Sequence, residues 1–312
     1  MNPTTDILIS EVGPRDGLQS VKVTMPTAHK QRWLDALVAS GLCEIEVCSF
    51  VPPHLIPQMA DAVQVVRHAL THPGLNVMAL VPNLKGAEAA LAAGVHKLTM
   101  PVSVSPAHSL ANVRKTPAEM VAVLRQVAAL RDERFAGVGI EAGLSTAFGC
   151  TLQGPVPEDD VIRLAVACAE AGANEVGLSD TTGMANPAQT RRLFTRLRAE
   201  LGDKASSAHM HNTRGLGLAN CLAAFDAGVR VFDSSQGGLG GCPHAPGASG
   251  NVVTEDLVFM FESMGIRTGV DLEQLLAARA ALQAGLPGEP LYGMLPEAGL
   301  PLGWAQKGTS HG

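Results

Sequence analysis

The stretch ILISEVGPRDGLQ, Ile7 to Gln19, decides between two ways of building an α/β protein. Its first residues are a short apolar run of the kind that makes a buried parallel strand. An open dinucleotide-binding sheet would follow its first strand with a G-x-G-x-x-G turn. Here the strand runs instead into EVGPRDGLQ, which puts Arg15 and Asp16 just past its carboxyl end.

Outward from that point the same rhythm continues. Strands are expected near Ile7 to Val12, Glu44 to Ser49, Val77 to Val81, Lys97 to Pro101, Val138 to Ala142, Glu175 to Leu178, Ala208 to His211 and Val231 to Ser234. Helical periodicity falls between them, as over Thr27 to Ser40, Pro57 to Thr71, Pro117 to Arg134, Glu158 to Ala171 and Pro187 to Leu201, and several of these segments open with Pro in the first turn. Strand-helix units that never reverse predict a closed (β/α)8 TIM barrel, with an open sheet as the alternative. Residues 1–312 read as one domain, a barrel over about 6–265 followed by a helical and irregular tail over 266–312.

Composition removes other classes. With 46% hydrophobic and 17% charged residues the chain is globular, and at 312 residues it buries enough surface to need no disulfide or structural metal. A net charge of -6 and few aromatic residues argue against nucleic acid as a partner. No basic leader precedes a long apolar run, so neither export nor a membrane is expected. The six cysteines form no C-x-x-C pair and read as reduced thiols of a cytoplasmic protein.

In a TIM barrel the chemistry sits at the carboxyl ends of the strands. Those ends carry Arg15, Asp16, Glu46, Asp180, His209, His211 and the loop GGLGGCPHAPGASGN from Gly237 to Asn251. His209 and His211 stand two apart in a strand, so their rings project to one side and either share a cation or hydrogen-bond inside the barrel. Asp16 is an anionic donor or a turn former, and Asn251 is a neutral oxygen donor or a cap for the next helix. Two nitrogens and two oxygens without a thiolate would suit an octahedral Mg, Mn or Co ion with open positions. Arg15 is a permanent cation able to steady an enolate, or else a surface ion pair. Glu46 and Asp180 are carboxylates tuned for proton transfer or groups that only orient their neighbours. Cys242, with four glycines just before it and Pro243 after it, has the setting of a thiol on a mobile lid, an acid or a nucleophile.

These motifs together resemble the 3-hydroxy-3-methylglutaryl-CoA lyase family of metal-dependent barrel lyases. The matches are EVGPRDGLQ at Glu11 to Gln19, IEVCSFVPPHLIPQMAD at Ile45 to Asp61, VPNLKG at Val81 to Gly86, SDTTG at Ser179 to Gly183, H-x-H at His209 to His211 and GGCPHAPGASGNVVTEDL at Gly240 to Leu257. The resemblance implies that Asp16, His209, His211 and Asn251 ligate a divalent ion, that Arg15 steadies an enolate, that Cys242 is an acid/base on a mobile loop and that Glu46 and Asp180 belong to the catalytic shell. It also implies an acyl-CoA thioester as substrate, with Arg15, Gln19 and Asn83 among its contacts, and cleavage of 3-hydroxy-3-methylglutaryl-CoA to acetyl-CoA and acetoacetate; Arg214, if it points inward, is expected to add a second carboxylate contact or to shorten the cavity. An apolar barrel exterior fits a homodimer.

The chain departs from the family at Asn212 and Arg214, where the familiar pattern is H-x-H-D-T-Y-G, and at Thr151 and Gln153 in FGCTLQG. These positions bear on the acyl group, so a related thioester such as citramalyl-CoA, giving pyruvate and acetyl-CoA, or a longer 3-alkyl-glutaryl-CoA is the alternative substrate. A condensing synthase of the isopropylmalate or homocitrate type shares R-D-G-x-Q and H-x-H but is expected to carry a long C-terminal extension and no G-G-C-P loop. A barrel that only binds or scaffolds would have lost ligands, whereas every matched position here is filled.

Overall fold

The computed structural model describes residues 5–240 and 250–304. Strands β1 (Leu8–Glu11), β2 (Glu44–Ser49), β3 (Asn76–Leu80), β4 (Lys97–Ser103), β5 (Gly139–Ser145), β6 (Glu175–Ser179), β7 (Ala205–His209) and β8 (Val231–Ser234) run in sequence order. Each pairs in parallel with the next, and β8 returns to β1, so the barrel is closed. The helices are α1 (Leu18–Ser20), α2 (Thr27–Ala39), α3 (Ala62–Ala69), α4 (Leu84–Ala93), α5 (Pro106–Val113), α6 (Pro117–Arg134), α7 (Glu158–Glu170), α8 (Pro187–Leu201), α9 (Gly217–Asp226), α10 (Thr254–Ser263), α11 (Leu272–Gly285) and α12 (Met294–Ala298). Among the described residues no helix is long and apolar enough to cross a membrane.

Local chemistry sets the helix starts. Thr116 and Glu119 form a reciprocal capping box with Pro117 opening α6. Asn186 caps α8 at Gln189 N, 3.0 Å away, again with Pro first. The helices bury apolar faces against the strands, with Trp33, Phe194, Phe232 and Phe261 fully inside, each contributing about 1.5–3 kcal/mol of burial.

Several strand ends shift by one to three residues from the sequence-based expectation, and two differences bear on the site. The segment Pro57 to Thr71 is not one helix: a short turn at Pro57–Met59 is followed by α3, with Asp61 between them. The Asp61 carboxylate is held instead by Lys30 Nζ at 2.6 Å and Thr27 Oγ1 at 2.7 Å. Strand β7 ends at His209 rather than His211, because the chain leaves the barrel there and His211 makes an antiparallel bridge with Asn251.

The floor of the barrel, where the strands begin, carries a buried ion cluster. Lys97 Nζ lies 3.2 Å from Glu44, 3.3 Å from Glu141 and 3.0 Å from Glu175. Polar residues at that rim support the fold, whereas the opposite rim holds the chemistry.

Glu11 ends β1 at the chemical rim and is fully buried. Its Oε1 accepts from Gly13 N at 2.8 Å and Gln236 N at 2.9 Å, while Oε2 lies 2.6 Å from Thr254 Oγ1. Thr254 Oγ1 is also 2.9 Å from Ser234 Oγ, so a protonated Glu11 can donate to Thr254, which then donates to Ser234. Burial pushes Glu11 up to about 8, against the pull of these hydrogen bonds. Its folded value lies above the usual 4.5, so the folded chain holds a proton that the unfolded chain has lost. Stability therefore falls as pH rises from about 4.5 to about 8, by up to about 1.4 kcal/mol per pH unit from this group. Glu11→Gln is expected to fold and to flatten that slope in denaturant midpoints taken at pH 5 and pH 8. An identical slope in the two proteins would count against a buried protonated Glu11.

Candidate active site

The chain after β1 makes one wide π-type turn over Gly13–Gly17, in which Val12 O accepts from Arg15 N at 3.1 Å and Asp16 N at 2.7 Å. Such widened turns recur at functional sites because they re-aim side chains. This one brings Arg15 and Asp16 to the barrel mouth. Arg15 Nε donates to Glu46 Oε2 at 2.5 Å and Nη1 to Asp16 Oδ1 at 2.6 Å. The Thr99 hydroxyl holds the other oxygen of Glu46. Arg15 is only 9% exposed, so it is no surface ion pair. Burial opposes its charge, but Glu46 and Asp16 more than offset that, and the guanidinium stays a fixed cation.

Asp16, His209 and His211 bring one ligand atom each to within 4.8 Å of one another. The two imidazole Nε2 atoms face each other at 3.2 Å. His209 Nδ1 is 3.0 Å from Asp233 Oδ2, an arrangement in which Nδ1–H donates to Asp233 and Nε2 faces the cluster; burial opposes a charge on the ring, but Asp233 and Asp16 more than offset it and raise His209. Burial, with the His209 charge, pushes His211 down to about 4, so it is a neutral lone-pair donor near pH 7. Burial disfavours ionised Asp16, yet Arg15 and the two histidines hold it down at about 2. The cluster thus offers a lone pair at His211, an anion at Asp16 and, once a cation displaces its Nε2 proton, a second nitrogen at His209, the donor set of a divalent cation.

Asn251 completes it. The bridge to His211 is fixed by Asn212 N to Gly250 O at 3.0 Å and Val252 N to Met210 O at 3.1 Å. The side chain does not cap α10, whose first residue follows Val253; its Nδ2 lies 2.6 Å from Asp16 Oδ2 and 3.1 Å from Leu239 O. Its Oδ1 is buried and has no hydrogen-bond partner among the described residues. Turning the amide presents that oxygen to the cluster, where a cation would satisfy it. Gly240 (φ +105) roofs the site, and a Cβ there would lie 2.3 Å from Asn251 Nδ2 and 3.0 Å from Asp16 Oδ2. A space that only glycine leaves open, beside an orphaned oxygen, a carboxylate and two imidazole nitrogens, fits a bound ion.

Asp180 follows β6 and is buried, with Oδ1 accepting from Met184 N at 2.7 Å and Ala185 N at 3.1 Å. Burial pushes it up to about 6 despite those donors. Its backbone N donates to His209 O at 2.8 Å, which places it on the strand next to the histidines.

Asp233 carried no role in the sequence reading, because it sits inside an otherwise unremarkable strand. The signal was its register, since β8 pairs Asp233 directly with His209. Asp233→Asn is expected to weaken metal affinity by about 10–100-fold while leaving kcat at saturating metal close to wild type. A metal titration with unchanged affinity would remove Asp233 from the site.

The remaining candidates lie around this centre. Gln19 in α1 has a buried Oε1 with no hydrogen-bond partner among the described residues. Asn83 caps α4, its Oδ1 accepting from Gly86 N at 2.9 Å. Arg214 is exposed at the rim, where its Nη1 donates to Thr182 O at 2.9 Å and Gly183 O at 2.7 Å in the loop after β6 and its charge acts on Asp180. Gln153 Oε1 accepts from Ser105 Oγ at 2.8 Å, joining the loops after β4 and β5. Cys242 lies outside the described residues. The tail braces the start of its loop, with Tyr292 N donating to Gly237 O at 2.8 Å and Arg279 Nη1 2.6 Å from Glu255 Oε1.

Residues 6–282 match the family model described as HMGL-like. The chain is 43% identical over 285 residues to a hydroxymethylglutaryl-CoA lyase of Bacillus subtilis, covering 91% of this chain and 94% of that protein. It is 38% identical over 303 residues to an (R)-citramalyl-CoA lyase of Chloroflexus aurantiacus, with coverage of 94% and 95%. Among solved structures, an HMG-CoA lyase from Acinetobacter baumannii in complex with coenzyme A and 3-methylmalate superposes with a TM-score of 0.90 at 38% identity, covering 98% of this chain and 99% of that one.

Proposed function

The chain belongs to the HMGL-like family, and on that premise we propose that it is a divalent-metal-dependent carbon-carbon lyase cleaving 3-hydroxy-3-methylglutaryl-CoA to acetyl-CoA and acetoacetate. The observation that carries this reading is one mouth where Asp16, His209, His211 and Asn251 converge directly against the buried Arg15 cation. A divalent ion held by those four residues, with Mg, Mn or Co all suited to the donor set, supplies a Lewis acid that makes the substrate's tertiary hydroxyl easier to deprotonate.

The chain's own residues do the rest. Asp180, tuned to about 6, is the base for the hydroxyl proton at neutral pH. As C3–O becomes a ketone, the bond between C2 and C3 breaks and its electron pair passes to the thioester as an enolate. Arg15, locked by Glu46 and Asp16, needs no reorganisation to meet that charge. Cys242 then protonates C2, giving acetyl-CoA, while acetoacetate leaves. Gln19, Asn83 and Arg214 are assigned to the substrate's polar groups. The free cysteines among the described residues fit a reducing, cytoplasmic compartment.

A second reading keeps the chemistry and shortens the substrate. Citramalyl-CoA has one methylene fewer than 3-hydroxy-3-methylglutaryl-CoA, and its lyase is a relative of similar coverage. A difference of one methylene is worth about 10–200-fold in discrimination. We expect kcat/KM for 3-hydroxy-3-methylglutaryl-CoA to exceed that for citramalyl-CoA by at least about tenfold in a thioester panel. Pyruvate formation from citramalyl-CoA as the faster reaction would move the assignment to the shorter substrate.

A further inference from the structure

We infer that Asp35, His68 and His72 form a second metal site, for a late first-row divalent ion such as zinc, on the face of the barrel away from the mouth. Helices that follow a strand run back past it, so α2 and α3 end at the rim where the strands begin. Asp35 lies near the end of α2, His68 near the end of α3 and His72 in the turn just beyond. The site therefore shares no residue with the mouth.

Three ligand atoms converge there. His68 Nε2 is 2.6 Å and His72 Nε2 2.9 Å from the same oxygen, Asp35 Oδ1, and one atom from each residue falls within 4.8 Å of the others. The rings stand edge to face with centroids 5.5 Å apart, so both nitrogens can approach one ion without stacking. The turn that places His72 is tied down: Thr71 Oγ1 donates to His68 O at 2.7 Å and His72 N to Ala69 O at 3.1 Å. The C-terminal end of α3 also favours positive charge through its exposed carbonyls. Arg32, one turn before Asp35, donates its Nε to Ala28 O at 3.2 Å, toward the start of α2.

A cation bound at both Nε2 atoms leaves each neutral ring with its proton on Nδ1, and the Asp35 carboxylate supplies the balancing negative charge. Around a tetrahedral ion with bonds of about 2.0–2.2 Å the ligand atoms stand about 3.3 Å apart. Reaching that spacing opens the present contacts by about half an ångström, which partly exposed side chains allow with small rotations. Two imidazoles and one carboxylate suit zinc, nickel, cobalt or copper, whereas magnesium prefers oxygen ligands and is not held. With three protein ligands the ion keeps an open position for water. Bound there it ties α2 to α3 and stabilises the fold by mass action.

The test is a zinc titration of metal-stripped protein free of any histidine tag, counting bound ions. Wild type is expected to bind about two equivalents, and the His68→Gln/His72→Gln double variant about one. Asp35→Asn is expected to weaken the same outer site, and His211→Ala to keep it while losing the mouth. Magnesium-supported turnover of the outer variants should equal wild type. Wild-type zinc stoichiometry and affinity in the His68→Gln/His72→Gln variant would overturn the proposal.

Discussion

Replacing His211 by alanine is expected to lower turnover of 3-hydroxy-3-methylglutaryl-CoA by about a thousandfold at any accessible metal concentration. A Lewis acid at a developing alkoxide is worth several kcal/mol. Three decades in rate correspond to about 4 kcal/mol, within that range. His211 is one of two nitrogen donors in the cluster, and its burial keeps it neutral down to about pH 4. Its bridge to Asn251 uses backbone atoms, so alanine leaves the loop crossing in place and circular dichroism should match wild type. A kcat within about tenfold of wild type under saturating magnesium would mean that the ion is not held where Asp16, His209 and His211 meet.

Arg15→Gln is expected to act on kcat more than on KM, by about 10²–10³-fold, the range found when one preorganised donor to a developing oxyanion is removed. The guanidinium is fixed before substrate arrives, by Glu46 at 2.5 Å and Asp16 at 2.6 Å, so its charge is spent on the transition state. The same change leaves Glu46 buried without its cation, and breaking such a pair costs about 3–5 kcal/mol. Stability and rate must therefore be measured together: a folded Arg15→Gln protein with kcat near wild type would dismiss Arg15 as the enolate's partner. Arg15→Lys should rescue little, because an ammonium cannot reproduce the two-pronged geometry that Glu46 and Asp16 impose.

The barrel was legible because its strands and helices each announce themselves locally, and so were the residues at strand ends. Arg15, Asp16, Glu46, Asp180, His209 and His211 were all read as mouth residues from position alone, and the fold brings them there. Asn251 is a different case. Its delivery depends on a crossing between the chain after β8 and the chain after β7, which no local pattern encodes. The helix-cap alternative for it fails because α10 starts at Thr254 with Val253 as its N-cap, two residues beyond Asn251. Asp233 and Glu11 escaped for a related reason, since a lone acid in a short strand gains meaning only from the residue paired across the ladder or folded over it. Arg214, beside the H-x-H motif, is reached by no local pattern either: its Nη1 is held on the backbone carbonyls of Thr182 and Gly183, in the loop that follows Asp180, a contact that only the fold brings about.

Metal-dependent cleavage is tested most directly by acetyl-CoA release from 3-hydroxy-3-methylglutaryl-CoA by metal-stripped protein, followed before and after magnesium or manganese is added. No release is expected before addition, and afterwards acetyl-CoA and acetoacetate appear in equal amounts. Release that is indifferent to the ion, or no release from protein shown to have bound it, would contradict the assignment of this mouth to metal-dependent cleavage of that thioester.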